Sequence, residues 1–495
     1  MLDRRSSGVL LHPTSLPGPY GIGDLGPAAT DWLDWLSDAG CRYWQMLPLG
    51  PTGYGDSPYQ CFSAFAGNPY LISPDLLAAD GLIDGVDPPD FPDERVDYGA
   101  VIPWKLALLD GAFDRFRASP PPDLAADHAS FREQHRSWLE DYALFMAIKA
   151  DRGGGPWWEW PDELKRAEPE ALAEAGARLG LEVERIMFRQ FLFFRQWDRI
   201  RHAATERGIR IVGDIPIFVA PDSVDVWADP HLFHLDDDRS MTVVAGVPPD
   251  YFSETGQLWG NPLYDWEEHA ATGYAWWIER IRHSIAMADV VRIDHFRGFV
   301  DYWEIPAGSE TAVAGRWMDG PGRAMFDAVE AALGSLPIIA EDLGELHESV
   351  PLLRDELGLP GMKVLQFAFD GDPHNDFLPE RYPENCVVYT GTHDNDTVLG
   401  WYRSAEVAER IRARKMLRAW GSARTIPAAM ITTAWESRAM LAVAPLQDVL
   451  ALGSGARMNI PSTPAGNWQW RYRHDDLVSR DSGRLRRLNR RTGRA

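Results

Sequence analysis

Three short apolar runs in this chain each end in side chains able to do acid–base or nucleophilic chemistry. VVRIDHFRGF (290–299) carries Arg292 and Asp294, LPIIAEDLG (336–344) carries Glu341 and Asp342, and CVVYTGTHDND (386–396) carries His393, Asp394 and Asp396. Each run reads as a buried parallel strand, apolar on both faces. Side chains alternate along a strand, so Arg292 and Asp294 point the same way and the cation favours the charged carboxylate. One such pair is as readily a structural salt bridge. Three carboxylate-bearing strand ends facing one cleft would instead suit cleavage of a glycosidic bond, which needs one ionised carboxylate to attack and one protonated carboxyl to release the leaving oxygen. Asp294 suits the first part. Glu341, following Ile338, Ile339 and Ala340, suits the second, because an apolar surround and the nearby Asp294 and Asp394 raise its pKa. A pair that retains anomeric configuration stands roughly 5–5.5 Å apart.

A metal site is the competing chemistry, since Asp294-His295 and His393-Asp394 contain ligand types. Adjacent strand residues point to opposite faces, however, and no second His shares a face with either one, so no metal is expected.

The elements that must position these groups follow a β-α-β rhythm. VLLHP (9–13) leads to the helical stretch TDWLDWLSDAG (30–40), with Thr30 as its expected cap and Gly40 as its stop, and then to CRYWQMLPLG (41–50). After a long, largely helical interruption the alternation resumes with IRIVGDIPIFV (209–219), which presents Asp214. Eight strands are expected, near residues 9, 41, 209, 290, 336, 362, 386 and 457. Eight strands separated by helices predict an α/β fold, a (β/α)8 TIM barrel with its site at the carboxyl ends of the strands. The rival, an open doubly wound sheet, lacks any GxGxxG or phosphate loop after a strand. The expected organisation is one catalytic barrel over 1–495, a mostly helical insertion at 51–180 after strand 2, one with a cleft loop at 221–273 after strand 3, and one at 299–321 after strand 4.

Composition narrows the class further. A net charge of −24 speaks against nucleic acid as a partner. The basic run RLRRLNRR near the end reads as a solvated or frayed tail. Three cysteines with no metal-like spacing imply no disulfide framework. The opening residues lack the apolar core of a signal peptide, and no run of about 18 apolar residues occurs, which points to a soluble cytoplasmic protein with no membrane partner. A monomer is the default, with a homodimer open. The 21 Trp exceed ordinary need, and although most belong to a core, some are available to stack on sugar.

Eight segments, LHPTSLPGPYGIGDLG, GDSPYQ, VGDIPIFVA, GVPPDYFSETGQLWGNPLY, VVRIDHFRGF, IIAEDLG, YTGTHDNDT and NIPSTPAGNWQWR, together resemble the 4-α-glucanotransferases of glycoside hydrolase family 77, the amylomaltases or disproportionating enzymes. The resemblance runs from residue 8 to about 475, and four of the segments are also shared with the wider α-amylase clan. It implies a barrel without a carboxyl-terminal β-domain, and transfer of α-1,4-glucan segments to the 4-hydroxyl of glucose or another glucan, with retention and without cofactor. It also implies Asp294 as nucleophile, Glu341 as general acid/base and Asp394 as the carboxylate that stabilises the transition state. Arg292, Asp214 and His393 match positions around the sugar at the cleavage point. Tyr59, Ser57, Trp259, Phe367, Asp370 and Asn467 match further glucan contacts, and Tyr251 and Phe252 match a loop over the cleft. An α-1,4-glucan hydrolase of the same clan and a non-catalytic glucan-binding protein are the alternatives.

Overall fold

The computed structural model describes residues 2–249, 253–344, 347–463 and 465–495. Eight parallel strands form its wall: β1 (Ser6–Leu10), β2 (Tyr43–Gln45), β3 (Arg210–Pro216), β4 (Val290–Asp294), β5 (Ile338–Ala340), β6 (Gly361–Val364), β7 (Cys386–Tyr389) and β8 (Leu441–Pro445). Their order is β6-β7-β8-β1-β2-β3-β4-β5. The ends of that order meet, because the Ala340 N–H donates to Pro360 O at 3.0 Å and the Met362 N–H donates to Asp342 Oδ1 at 2.7 Å. The sheet is therefore a (β/α)8 barrel, and among the described residues no β-domain follows it. Gly361 lies at this seam because a Cβ there would collide with the Asp342 carboxylate.

Strand composition explains the wall. Val290, Val291, Ile293, Ile338, Ile339 and Ala340 are all buried, as a strand packed on side chains inside and helices outside requires. β8, LAVAP, is equally buried along its length. It is the eighth strand, whereas the one expected near 457 does not form. Five apolar residues flanked by helices carry no periodicity that separates strand from helix, and residues 457–463 and 465–471 run instead as irregular chain, bends and turns with one isolated bridge. The first helix also begins earlier than its expected cap: it spans Pro27–Ala39, with Pro27 in the first turn, and ends at Gly40 in the left-handed region (φ 69°).

Between β2 and β3 the chain is helical, with Tyr98–Ala118, Pro122–Gln134, Arg136–Asp151 and the long Pro169–Glu206. The segments after β3 and β4 combine into a second, antiparallel sheet of four strands, in the order Gln257–Pro262, Val243–Val247, Asp301–Pro306 and Arg316–Asp319. Tyr251 and Phe252 lie outside the described residues. Seven of the 21 Trp are fully buried, among them Trp44, Trp197 and Trp435, and serve packing. Among the described residues no helix is long and apolar enough to cross a membrane.

The basic terminal run is a docked helix rather than a frayed tail. Ser479–Thr492 buries Leu485 and Asn489 against the amino-terminal end of the barrel. Asn489 Oδ1 accepts from Ser7 Oγ (2.7 Å) and Trp435 Nε1 (2.6 Å), and its Nδ2 donates to Ala39 O (2.9 Å). Arg494, fully buried, donates to the carbonyls of Ser6 (2.9 Å), Trp435 (2.7 Å), Ser437 (2.9 Å) and Ala439 (2.8 Å). These carbonyls lie where β1 and β8 begin, so one guanidinium closes the barrel floor. Arg494→Ala removes a donor from all four carbonyls, although those of Trp435 and Ser437 keep Arg5 Nη2 as a partner (3.3 and 2.7 Å), and unfolding in denaturant should show a loss of about 2–4 kcal/mol with little change in the activity of the folded fraction.

Candidate active site

Parallel pairing of β3 with β4 places Asp214 beside Arg292 and Pro216 beside Asp294. Both charged partners then face the barrel mouth. Arg292 Nη1 donates to both oxygens of Asp214 (2.8 and 2.7 Å), and Nη2 donates to Asp294 Oδ1 at 2.6 Å. The Arg292 side chain is only 4 % exposed. Burial alone would discharge it, but the Asp214 and Asp294 carboxylates outweigh burial and hold it charged. Tyr59 completes this side, its hydroxyl donating to Asp214 Oδ2 at 2.8 Å. Burial, then the Asp214 charge, push the Tyr59 pKa well up, so the phenol keeps the proton it donates.

Glu341 follows directly on β5. Its Oε2 accepts from the N–H of His295 at 2.6 Å, and its Oε1 from the N–H of Leu343 at 3.0 Å. His295 achieves this with a left-handed backbone (φ 51°, ψ 51°), a conformation uncommon outside glycine. Glu341 is therefore held against the residue that adjoins Asp294. Burial first, and the Asp294 charge second, push its pKa up to about 7, over the opposing pull of Arg292 and the two N–H donors.

The third carboxylate has the opposite electrostatics. Burial works to raise Asp394, but the charge of His393, whose Nε2 lies 3.3 Å from Asp394 Oδ2, together with a 2.6 Å bond from Asn459 Nδ2, hold it down at about 2. His393 is raised in turn, because Asp394 more than offsets its burial. Its ring stacks on Tyr59, with centroids 5.0 Å apart at 16°.

The neighbouring acids have structural partners. Asp342, on the opposite face from Glu341, accepts from Met362 N–H and pairs with Arg354. Asp396 accepts from Ser454 Oγ at 2.7 Å. Among the described residues no three His, Cys, Asp or Glu are grouped to hold a metal.

Asp214, Arg292, Asp294, Glu341, His393, Asp394 and Tyr59 thus form one connected cluster. Trp259 joins it through His295, its ring edge-on at 4.8 Å. Ser57 Oγ accepts from the Tyr59 N–H at 3.2 Å. Asn467 is turned into its own loop, bonded to Ile460 N–H and to Thr463. Phe367, 37 % exposed and packed on Phe377, and Asp370, which accepts from the Asp372 N–H, lie beyond β6. Sequence reasoning missed Asn459 and Trp468. Trp468 has φ 63° and packs on both Tyr59 (5.8 Å) and His393 (5.9 Å). Both lie within RMNIPSTPAGNWQWR, an irregular segment with no period from which facing could be read.

A (β/α)8 barrel whose strand ends gather an arginine, a histidine and three carboxylates, two of them, Glu341 and Asp394, shifted in opposite directions, defines an enzyme of glycosidic-bond chemistry. Comparison with known proteins agrees. The family model described as glycoside hydrolase 77, 4-alpha-glucanotransferase, matches residues 11–477. The chain is 54 % identical to the 4-alpha-glucanotransferase of Thermus thermophilus over 98 % of each chain. It is 51 % identical to that of a Synechocystis strain, over 98 % of this chain and 97 % of the relative. Amylomaltase from Streptococcus agalactiae, solved in complex with acarbose, superposes with a TM-score of 0.95 at 39 % identity, over 99 % of this chain and all of the other. The chain belongs to glycoside hydrolase family 77 and is a 4-alpha-glucanotransferase.

The two adjacent acids after β5 make a contrasting pair of predictions. A Glu341 pKa above that of an unfolded glutamate means the folded state binds this proton more tightly. That contribution to stability is complete below about pH 4.5 and is lost as pH rises through about 7. Glu341→Gln should therefore raise the thermal midpoint above pH 7 while abolishing transfer. Asp342→Ala should lower the midpoint by opening the β5–β6 seam, as read by calorimetry at pH 7.5.

Proposed function

We propose that Asp294, Glu341 and Asp394 carry the transfer reaction by double displacement. Arg292 holds Asp294 Oδ1, which leaves the other carboxylate oxygen to attack the anomeric carbon of an α-1,4-linked glucosyl unit. As that bond forms, the Glu341 carboxyl gives its proton to the departing 4-oxygen, and the displaced glucan leaves with a free 4-hydroxyl. A glucosyl ester on Asp294 remains. The 4-hydroxyl of glucose or another glucan then attacks the same carbon, its proton passes to the Glu341 carboxylate, and Asp294 is released. Two inversions give retention. The observation that carries this reading is the setting of Glu341, buried and close enough to Asp294 that its pKa is pushed up to about 7, yet provided with two fixed N–H donors for the moment it becomes an anion.

Asp394 stays ionised across the working range and suits a grip on ring hydroxyls and on positive charge developing at the anomeric centre. His393 and Tyr59 border the same sugar. Trp259, Phe367 and Asp370 are proposed outer glucan contacts, and Ser57 and Asn467 shape the loops that bear them. Tyr251 and Phe252 are proposed as the cover that favours a sugar hydroxyl over water at the ester. The site is assigned without cofactor, working on maltooligosaccharides in the cytoplasm, where the free thiols of Cys41, Cys61 and Cys386 are at home.

With maltotriose as sole substrate, the products should be glucose and longer oligosaccharides at nearly constant reducing ends. Reducing ends that climb with each turnover would make this chain a hydrolase in practice. Asp294→Asn should lower kcat by about a thousandfold or more while glucan binding persists, and full activity in that variant would remove Asp294 from its role. Because Glu341 must enter the cycle protonated, kcat/KM should decline as pH rises through about 7, with the slope of a single group.

A further inference from the structure

Behind His393 and Asp394 lies a cavity of about 30 Å³, between the carboxyl ends of β1, β7 and β8. His12, Thr392, Asn395, Gln447 and Arg457 line it, together with His393. His12 is 6 % exposed, and its Nδ1, fully buried, has no hydrogen-bond partner among the described residues. A buried polar nitrogen without a partner is rare in folded proteins and is ordinarily met by an ordered water. A water needs on the order of 10–15 Å³ of such room and two to four polar partners. Room and polar groups are both present here, whereas an apolar cavity of this size would stay dry.

The far wall of the cavity is the platform on which the third carboxylate stands. Arg457 donates through Nη2 to the backbone carbonyl of Asp394 and through Nε to Asn459 O (2.7 Å). The Asn459 N–H donates to His393 O at 3.1 Å, and its Nδ2 holds the Asp394 carboxylate at 2.6 Å. Asn395 accepts the Thr392 N–H and hydroxyl at 2.8 and 2.9 Å, bracing the start of the same loop. Movement at the cavity therefore reaches Asp394 through two short hydrogen-bonded steps. Burial, with the His393 charge adding to it, holds the His12 pKa down to about 3. Its imidazole is neutral, with one nitrogen to donate and one to accept, and puts no charge beside His393.

We propose that this cavity binds one buried water against His12, and that His12 acts through it as a positioning residue for the His393–Asp394 segment during glucan transfer. The inference rests on the role proposed for Asp394. His12 contributes no proton to the reaction; it fixes the depth at which the Asp394 carboxylate meets the sugar.

The test compares His12→Phe, His12→Asn and Asp394→Asn in the full-length enzyme with maltotriose. His12→Phe fills the cavity with an apolar ring of similar size, so its thermal midpoint should equal or exceed that of the parent. Its kcat should nonetheless fall about 10- to 100-fold, the cost of a misplaced catalytic group, with KM little changed. His12→Asn, which can still bond a water, should recover most of that loss. Parental kcat in His12→Phe alongside an inactive Asp394→Asn would overturn the role of His12 alone, whereas an active Asp394→Asn would overturn the reading beneath it. Should His12→Phe fail to fold, a high-resolution crystal structure of the parent decides the matter. Ordered density within hydrogen-bond reach of His12 Nδ1 supports the proposal, and an empty cavity sinks it.

Discussion

A guanidinium sunk into the mouth of a barrel must be answered by carboxylates, and much of this site follows from that demand. Arg292 has almost no access to water, and an unpaired charge there would cost more than the fold could bear. Asp214 on β3 and Asp294 on β4 meet it from adjacent strands, in a register that a one-residue slip would destroy by turning every side chain to the other face. Structural necessity and catalytic use coincide here. The ion pair that makes burial of Arg292 tolerable also presents one oxygen of Asp294 to the cleft.

The other two carboxylates show how one fold keeps chemically similar groups in different states. Glu341 is crowded by burial and by Asp294, and its two backbone donors do not restore an ordinary carboxylate pKa. Asp394 is buried too, but His393 and Asn459 lie directly on its oxygens and prevail. The difference lies in the partner rather than in depth. An imidazole whose own pKa is raised, together with an amide on the same carboxylate, reverses what burial imposes on Asp394, and two backbone N–H groups do not do so for Glu341. Separation of that kind lets one acid keep a proton near neutral pH while another gives it up.

Irregular backbone supplies what strands cannot. The left-handed turn at His295 aims an N–H at Glu341, and the one at Trp468 sets an indole against Tyr59 and His393. Such conformations cost free energy and persist where the surrounding packing dictates them. At the opposite end of the barrel, Arg494 and Asn489 tie the terminal segment to the starts of the first and last strands. Rigid closure below and strained turns above divide the labour.

Much of this was legible in the chain itself. The two-residue alternation placed Arg292 and Asp294 on one face, and apolar runs marked seven of the eight strands, whereas the seam role of Asp342 emerged only from its contacts with Met362 and Arg354. Those features depend on local periodicity, which a sequence carries directly. The eighth strand was hidden because five buried apolar residues have no period to read, and the four-stranded sheet because its halves lie in separate insertions. The docking of the basic terminal helix was equally hidden, since its Arg residues look solvated until Arg494 is seen among four carbonyls. Asn459, Trp468 and His12 reach the site only through contacts with chain more than 45 residues away. Which side chains line the strand ends was written in the sequence, whereas the charge each carboxylate holds was decided by the tertiary structure, because pKa depends on burial and on partners that only closure of the barrel brings within reach.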